Sequence, residues 1–222
     1  MPTAIEEMVS RVGKQSYLAV SLVCYLIADA FVSENRLLTY SIMAMLIISG
    51  PLAVGRTRAR RYVTMALAIA MILLGYASTI REGLYLDFIA YMTATLFFLD
   101  MIYLLSRALL VEQTRVTGET LWGAINVYLL FGMMFAFLYS AVLALNPGAF
   151  EGGILENENQ DITQSMVYYS FVTMTTLGYG DITPKIHVAA TLAYVQALIG
   201  QLYVAILIAR LVSMYSNHKD ED

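Results

Sequence analysis

Six apolar stretches limit what this chain can fold into. Most of them approach the roughly 20 residues that an α-helix needs to cross the hydrocarbon core of a bilayer, although the first is shorter. The stretches are residues 17–32, 37–54, 62–80, 84–105, 121–145 and 188–214. The sequence therefore predicts an all-α membrane protein with six transmembrane helices.

The composition supports the same class. The 222 residues are 59% hydrophobic and 14% charged, whereas a soluble protein has about 25% charged residues. Cys24 is the single cysteine, so no disulfide can form within one chain. The sequence also shows no cluster of residues with metal-ligand spacing.

The predicted spans divide the chain into five segments. Residues 1–16 are predicted to form a cytoplasmic amphipathic segment, because Thr3 and Glu6 fit a capping box followed by apolar residues at helical spacing. An ordinary solvated helix explains the same pattern. Four spans, a polar linker and a two-span unit follow, and then a short tail: residues 17–105, 106–120, 121–214 and 215–222.

Basic residues indicate the orientation of these spans. With the amino terminus inside, ten of the 13 lysines and arginines fall on the cytoplasmic side. Short cytoplasmic loops carry an excess of such residues in membrane proteins. We therefore expect a multi-pass protein of the cell membrane, plasma or inner, with both termini in the cytoplasm. The residues on the outer side are Arg36, Arg81 and Lys185.

The stretch from Thr175 to Asp181, Thr-Thr-Leu-Gly-Tyr-Gly-Asp, lies between the last two spans. Together with Pro184, a preceding short helix and the two flanking spans, it resembles the selectivity filter of the tetrameric potassium channels. In that filter, backbone carbonyl oxygens replace the water shell of a dehydrated cation. Such a backbone needs positive φ angles, which glycine reaches at low cost.

The resemblance implies the role of each residue in this stretch. The ion-binding residues would be Thr176, Leu177, Gly178, Tyr179 and Gly180, with the Thr176 hydroxyl as the innermost ligand. The side chains of Leu177 and Tyr179 would point away from the ion. No cofactor is expected besides potassium ions in the pore. One chain supplies a quarter of such a ring, so a homotetramer with three further identical subunits is expected.

Residues 162–175 are predicted to form a short pore helix that ends near the inner mouth of the filter, where its dipole favours a cation. Asp181 matches the family's carboxylate after the filter and is expected to bond Tyr168. Val172 stands where relatives often have a glutamate partner for this carboxylate, which is a departure from the family pattern. The resemblance assigns filter support to Thr175, Asp181, Tyr168, Tyr169 and Val172.

Gly200 follows Gly180 by twenty residues and matches the hinge glycine of the family's inner helix. A glycine inside a helix costs about 1 kcal/mol relative to alanine. Two reasons for tolerating this cost remain open, a bending point for gating and close packing against the pore helix. Gln201, Val204 and Ile208 share one helical face with Gly200 and are predicted to line the cavity.

The first four spans resemble a voltage-sensor bundle in layout, because six spans with the pore last is the arrangement of voltage-gated potassium channels. The fourth span, residues 84–105, contains no basic residue and carries Asp87 and Asp100. Moving one charge through 100 mV corresponds to about 2.3 kcal/mol. Without gating arginines, the sequence predicts weak or no voltage dependence by this route.

Asp29 and Asp100 are carboxylates inside predicted spans, where charged groups are energetically costly and often functional. One hypothesis is that either of them titrates and couples to gating. The alternative is a structural role, in which the carboxylate accepts a hydrogen bond from a hydroxyl group or pairs with a base near the interface.

The function that these patterns predict is passive, potassium-selective conduction. A weakly selective cation channel and a non-conducting sensor or accessory subunit remain alternatives. A potassium uptake transporter would carry four pore repeats, and the chain shows one. No arrangement of Ser, His, Glu or Asp indicates an enzyme. The expected surroundings are membrane lipid, with no nucleic acid and no soluble regulatory domain in the chain.

Overall fold

The computed structural model describes residues 14–32, 58–81, 83–111, 118–152 and 162–219. These residues form six helices and two short strands, which we number in chain order. The helices are α1 (Lys14–Val32), α2 (Arg58–Ile80), α3 (Leu84–Val111), α4 (Gly118–Leu145), α5 (Ile162–Met174) and α6 (His187–Lys219). The strands are β1 (Phe150–Glu151) and β2 (Thr183–Pro184).

Four helical segments are long and apolar enough to cross a membrane: Tyr62–Ile80, Leu84–Leu109, Thr120–Leu145 and His187–Arg210. Helix α1 adds a shorter apolar segment, Gln15–Ile27. The described residues are therefore mostly helical, as predicted. The second predicted span, residues 37–54, and most of the amino-terminal segment lie outside the described residues, so the count of six spans stays a prediction.

Both ends of the predicted linker, residues 106–120, are helical. Helix α3 continues to Val111 and α4 begins at Gly118. The sequence Ser-Arg-Ala-Leu-Leu-Val after residue 105 contains neither glycine nor proline, and its alanine, arginine and leucines are strong helix formers. At the other end of the chain, α6 extends to Lys219, past the predicted end at residue 214.

Helix α4 is the centre of the structure, because α1, α3, α5 and α6 all pack against it. The contact with α3 includes Phe98 and Phe137, whose stacked rings lie 5.5 Å apart. The contact with α1 is polar as well as apolar. The buried Asn126 donates a hydrogen bond to the backbone oxygen of Gln15 at 2.8 Å. Helices α1 and α3 thus pack directly against α4, the same helix against which α5 and α6 pack.

Helix α5 has 13 residues, which is too few to cross a bilayer. It is instead enclosed by protein, because it packs against both α4 and α6. A glycine lets α5 come close to α4. A Cβ atom at Gly132 would lie 2.5 Å from the ring of Phe171. The Ser170 hydroxyl donates to the Gly132 carbonyl oxygen at 2.6 Å.

Strands β1 and β2 close the segment around α5. They pair antiparallel, with Phe150 opposite Pro184. The Lys185 N–H donates to the Ala149 oxygen at 2.8 Å, and Lys185 also forms an ion pair with Glu151. The residues that follow α4 are thereby fixed to the residues that precede α6.

Gly152 lies at the end of this strand pair with φ at 153°. A Cβ atom there would lie 1.9 Å from the Asp181 carbonyl oxygen. We expect Gly152→Ala to lower the free energy of unfolding in detergent by about 1–3 kcal/mol from backbone strain alone, and by more once the clash is included. Chemical denaturation monitored by circular dichroism measures the change.

Gly148→Ala is the matched control for this substitution. A Cβ atom at Gly148 has its nearest neighbour 3.5 Å away, at the Asn146 side chain, which is ordinary contact. Equal stability of the two variants would contradict the close approach of residue 152 to the backbone of Asp181.

Candidate functional site

The loop after α5 has an alternating backbone. The φ angles of Thr176, Gly178 and Gly180 are 60°, 58° and 77°, while Leu177 and Tyr179 between them do not have positive φ. This alternation at every second residue suits a loop whose successive carbonyl groups line one side, as a dehydrated cation requires. The two glycines take the positive angles that the sequence predicted for them.

Thr176 was not expected to have positive φ. A left-handed conformation costs an L-residue with a Cβ atom about 1–2 kcal/mol. Two hydrogen bonds hold it there. The Thr176 N–H donates to the Thr173 oxygen at 3.1 Å, and the Thr176 hydroxyl donates to the Thr175 oxygen at 2.6 Å. The strained residue is therefore fixed by its immediate neighbours.

The carbonyl groups of the last turn of α5 hold the start of the loop. The Thr175 N–H donates to the Phe171 oxygen at 3.0 Å. Leu177 and Gly178 both donate to the Val172 oxygen, at 3.0 and 3.3 Å. A helix leaves its last four carbonyl groups without intrahelical partners. Here the loop supplies partners for the carbonyl groups of Phe171, Val172 and Thr173, so the position of α5 determines where the loop lies.

Asp181 is tied to α5 by a side-chain hydrogen bond. The Tyr168 hydroxyl donates to Asp181 Oδ2 at 2.6 Å, which is the bond expected from the sequence. This hydrogen bond raises the pKa of Tyr168 to about 12, so the phenol remains a donor at neutral pH. The second carboxylate oxygen accepts from the Ile182 N–H at 3.2 Å. Both ends of the loop are thus attached to α5 or to the residues next to it.

The side chains of Tyr169 and Val172 are buried. Tyr169 is buried among aromatic rings, with ring centroids 5.1 Å from Tyr139 and 5.2 Å from Phe150. The side chain of Val172 is 9% exposed, and it is the backbone oxygen of this residue that contacts the loop. Tyr169 therefore packs α5 onto α4, and the Val172 side chain provides no polar group behind the loop.

The loop itself is open in the single chain. Leu177 is 55% exposed and Tyr179 is 67% exposed. A Cβ atom at Gly178 or Gly180 would meet no atom within 4 Å. One chain therefore leaves one side of the loop uncovered, although the loop is firmly held on the side of α5.

Gly200 packs against the end of α5. A Cβ atom at this glycine would lie 2.9 Å from the Met174 carbonyl oxygen. Close packing, one of the two reasons that the sequence left open, is therefore present. Helix α6 runs unbroken through this position. The predicted cavity residues Gln201, Val204 and Ile208 are exposed in the single chain.

Three polar residues that were not predicted from the sequence join α6 to its neighbours. The Tyr203 hydroxyl donates to the Ala124 oxygen on α4 at 2.7 Å. Arg210 donates to the Leu109 oxygen near the end of α3 at 3.0 Å. Gln196, in the middle of the apolar helix, is fully buried. The available signal was a polar side chain inside an apolar span, where such groups find partners on other helices.

Asp100 is engaged by residues of α2. The Thr64 hydroxyl donates to its Oδ2 atom at 2.6 Å, and a guanidinium nitrogen of Arg60 lies 4.0 Å from Oδ1. The Arg60 guanidinium also lies over the Tyr103 ring, 4.4 Å from its centroid. The side chain of Asp29 lies outside the described part of the structure. Within the described residues no group of three or more His, Cys, Asp or Glu side chains could hold a metal ion.

Comparison with known proteins identifies the family. A model of ion channels, described as "Ion channel", matches residues 123–217. Protein LctB of Bacillus caldotenax is 30% identical to the chain over 101 residues, which is 44% of this chain and 74% of that protein. The chain belongs to the ion channel family. The match begins in α4 and contains α5, the loop and most of α6, so it coincides with the site described above. No solved structure matches the chain significantly.

Gly200→Ala distinguishes the two explanations for this glycine in the channel. If flexibility were its purpose, alanine would stabilise α6 by about 1 kcal/mol through helix propensity. Because the added methyl group would press on the Met174 backbone, we expect a loss of about 1–3 kcal/mol instead. The sign of the change in unfolding free energy in detergent decides the matter, and a gain in stability would contradict the packing explanation.

Asp100→Asn tests whether this carboxylate senses protons. The amide oxygen can still accept from Thr64. The Arg60 guanidinium nitrogen lies 4.0 Å from Asp100 Oδ1, which is too far for a hydrogen bond. We therefore expect a stability loss below about 1 kcal/mol. We also expect the pH dependence of the ionic current to stay unchanged. Asp87→Asn on the same helix is the matched control. A shifted pH midpoint in Asp100→Asn alone would instead assign the carboxylate a role in gating.

Proposed function

We propose that this ion channel is potassium-selective, with residues 176–180 as its ion-binding loop. The observation that carries the proposal is the alternating backbone of the loop, with positive φ at Thr176, Gly178 and Gly180. Carbonyl groups lining one side can replace the water shell of a potassium ion. The Thr-Leu-Gly-Tyr-Gly sequence at this position, which resembles the filter of potassium channels, supports the same ion.

The proposed channel is a homotetramer. A single chain covers the loop on one side only and leaves Leu177 and Tyr179 exposed. Helix α6 is also largely uncovered, with Leu198, Leu202 and Ile206 more than half exposed. Four copies around one axis would place four loops around an ion, and each uncovered face against a neighbouring subunit or the cavity.

Opening of this channel is proposed to depend weakly or not at all on voltage. Within residues 84–105 of α3 there is no basic residue that could carry gating charge. Arg60 on α2 lies within 4.0 Å of Asp100, so the positive charge of Arg60 is partly compensated by this carboxylate.

The proposed orientation has both termini in the cytoplasm, as the distribution of basic residues suggests.

A weakly selective cation channel is the second candidate. The observation that favours it is Val172, because an apolar side chain there adds no polar contact to the Tyr168–Asp181 bond. In this case the same loop would conduct, but sodium would pass almost as well as potassium.

Reversal potential distinguishes these candidates. The full chain is reconstituted in a planar bilayer with potassium on one side and sodium on the other, over a range of pH and voltage. We expect a reversal near the potassium equilibrium value and block by barium. A reversal near zero with robust current would favour weak selectivity. Silence in both ions under all conditions would contradict conduction and favour an accessory subunit.

Gly178→Ala tests the loop itself. The methyl group would meet no atom within 4 Å, so the substitution acts through the backbone, where φ of 58° costs alanine about 1–2 kcal/mol. Since four subunits share one loop assembly, we expect potassium current to fall by at least about tenfold, a factor that corresponds to 1.4 kcal/mol.

Gly118→Ala is the control, because a Cβ atom at Gly118 also meets nothing within 4 Å but its backbone has no positive φ. Normal potassium current in both variants would contradict a role of residue 178 in ion binding.

A further inference from the structure

Gln196 carries a primary amide in the middle of α6, and its side chain is 0% exposed. Its Nε2 atom donates to the Ser170 carbonyl oxygen at 3.1 Å and to the Ser170 hydroxyl oxygen at 2.7 Å. Its Oε1 atom accepts from the Tyr139 hydroxyl at 2.6 Å. An amide has two N–H donors. Gln196 therefore uses both donors, and its oxygen is bonded as well.

These bonds form a closed circuit through three helices. The Tyr139 hydroxyl on α4 donates to Gln196 on α6, which donates to Ser170 on α5. The Ser170 hydroxyl then donates to the Gly132 oxygen at 2.6 Å, back on α4. Every donor in the circuit points in the same sense, so the hydrogen bonds are mutually compatible and can strengthen one another.

The circuit fixes the position of α5 along α6. Gln196 bonds Ser170, and one turn further along both helices Gly200 lies against Met174. Apolar contact is non-directional and tolerates sliding. A buried amide does not tolerate it, because any shift by a fraction of a turn would leave its polar atoms without partners.

The residues directly after Ser170 hold the loop. The carbonyl groups of Phe171, Val172 and Thr173 accept the N–H groups at the start of the loop. We propose that Gln196 is a positioning residue, which sets the depth of α5 and through it the geometry of the ion-binding loop. This inference rests on the proposed function, in which residues 176–180 bind potassium. Gln196 itself does not touch the ion in this mechanism.

Gln196→Leu removes the circuit while keeping a side chain of similar size. In the bilayer assay we expect the potassium-to-sodium permeability ratio to fall by about tenfold. The reason is that buried polar groups without hydrogen-bond partners carry a free-energy penalty that corresponds to about this factor. Tyr139→Phe removes a single donor and should show a smaller fall. Ser140→Ala is the control for loss of a buried hydroxyl. Ser140 is 0% exposed, and its partner among the described residues is the Ala136 oxygen within its own helix, at 3.0 Å.

Gln196→Glu supplies a conservative rescue. A protonated carboxyl group retains one donor for Ser170 and an acceptor for Tyr139, whereas an ionised one has no donor and faces the Ser170 carbonyl oxygen. Among the described residues, the titratable groups at this circuit are the phenols of Tyr139, which is part of it, and Tyr169, which packs on Tyr139. We expect near-normal selectivity of Gln196→Glu at acidic pH and a loss towards that of Gln196→Leu as pH rises. The wild-type ratio should stay constant over this pH range.

Hydrogen–deuterium exchange of the full chain in detergent gives a readout that does not depend on conduction. We expect Gln196→Leu to exchange faster in peptides covering residues 166–180, with peptides from residues 88–105 unchanged. If the wild type is unselective but this local acceleration occurs, the proposed function fails while the positioning of α5 stands. Wild-type exchange and wild-type selectivity in Gln196→Leu would together overturn the inference. General acceleration over both regions would also overturn it, because it would indicate loss of the fold.

Discussion

The structure depends on how one short helix ends. Helix α5 has 13 residues and presents the carbonyl groups of its last turn to the backbone of the following loop. Inside a membrane protein such groups cannot rely on water, so they must find partners within the chain. The loop N–H groups provide partners for Phe171, Val172 and Thr173. This mutual satisfaction allows an irregular backbone, strained at Thr176, to persist between two apolar helices.

Contacts with α4 and α6 hold α5 in place. Aromatic rings of Tyr139, Phe150 and Tyr169 pack it onto α4. The amide of Gln196 ties it to α6, and the strand pair beyond the loop closes the segment. The apolar contacts supply most of the burial, while the few hydrogen bonds decide which relative position of the helices is permitted. The proposed binding of an ion by the loop requires both kinds of contact, because the carbonyl oxygens must then be held within fractions of an ångström.

The amino-terminal helices are connected to the same framework. Helices α1 and α3 pack on α4, and Arg210 on α6 donates to the backbone oxygen of Leu109 near the end of α3. A cation near a helix C-terminus is favourable because the dipole is negative there. A displacement of α3 would therefore change the hydrogen bond that Arg210 makes at the end of α6. The charge of Asp100 is partly compensated, since this carboxylate accepts from Thr64 and lies near Arg60.

The sequence alone determined the helical class and the short helix within one residue of its end, because apolar length and helix propensity are local properties. The loop was identified by its resemblance to the filter of potassium channels. The sequence also pointed to the Tyr168–Asp181 bond, through a resemblance to known channels. It did not reveal the partners of Gln196, the positive φ of Thr176 or the contact that explains Gly200. Those depend on which atoms three separate helices bring together. Hydrogen-bond partners and close approaches are properties of that packing, so only the tertiary structure decided them.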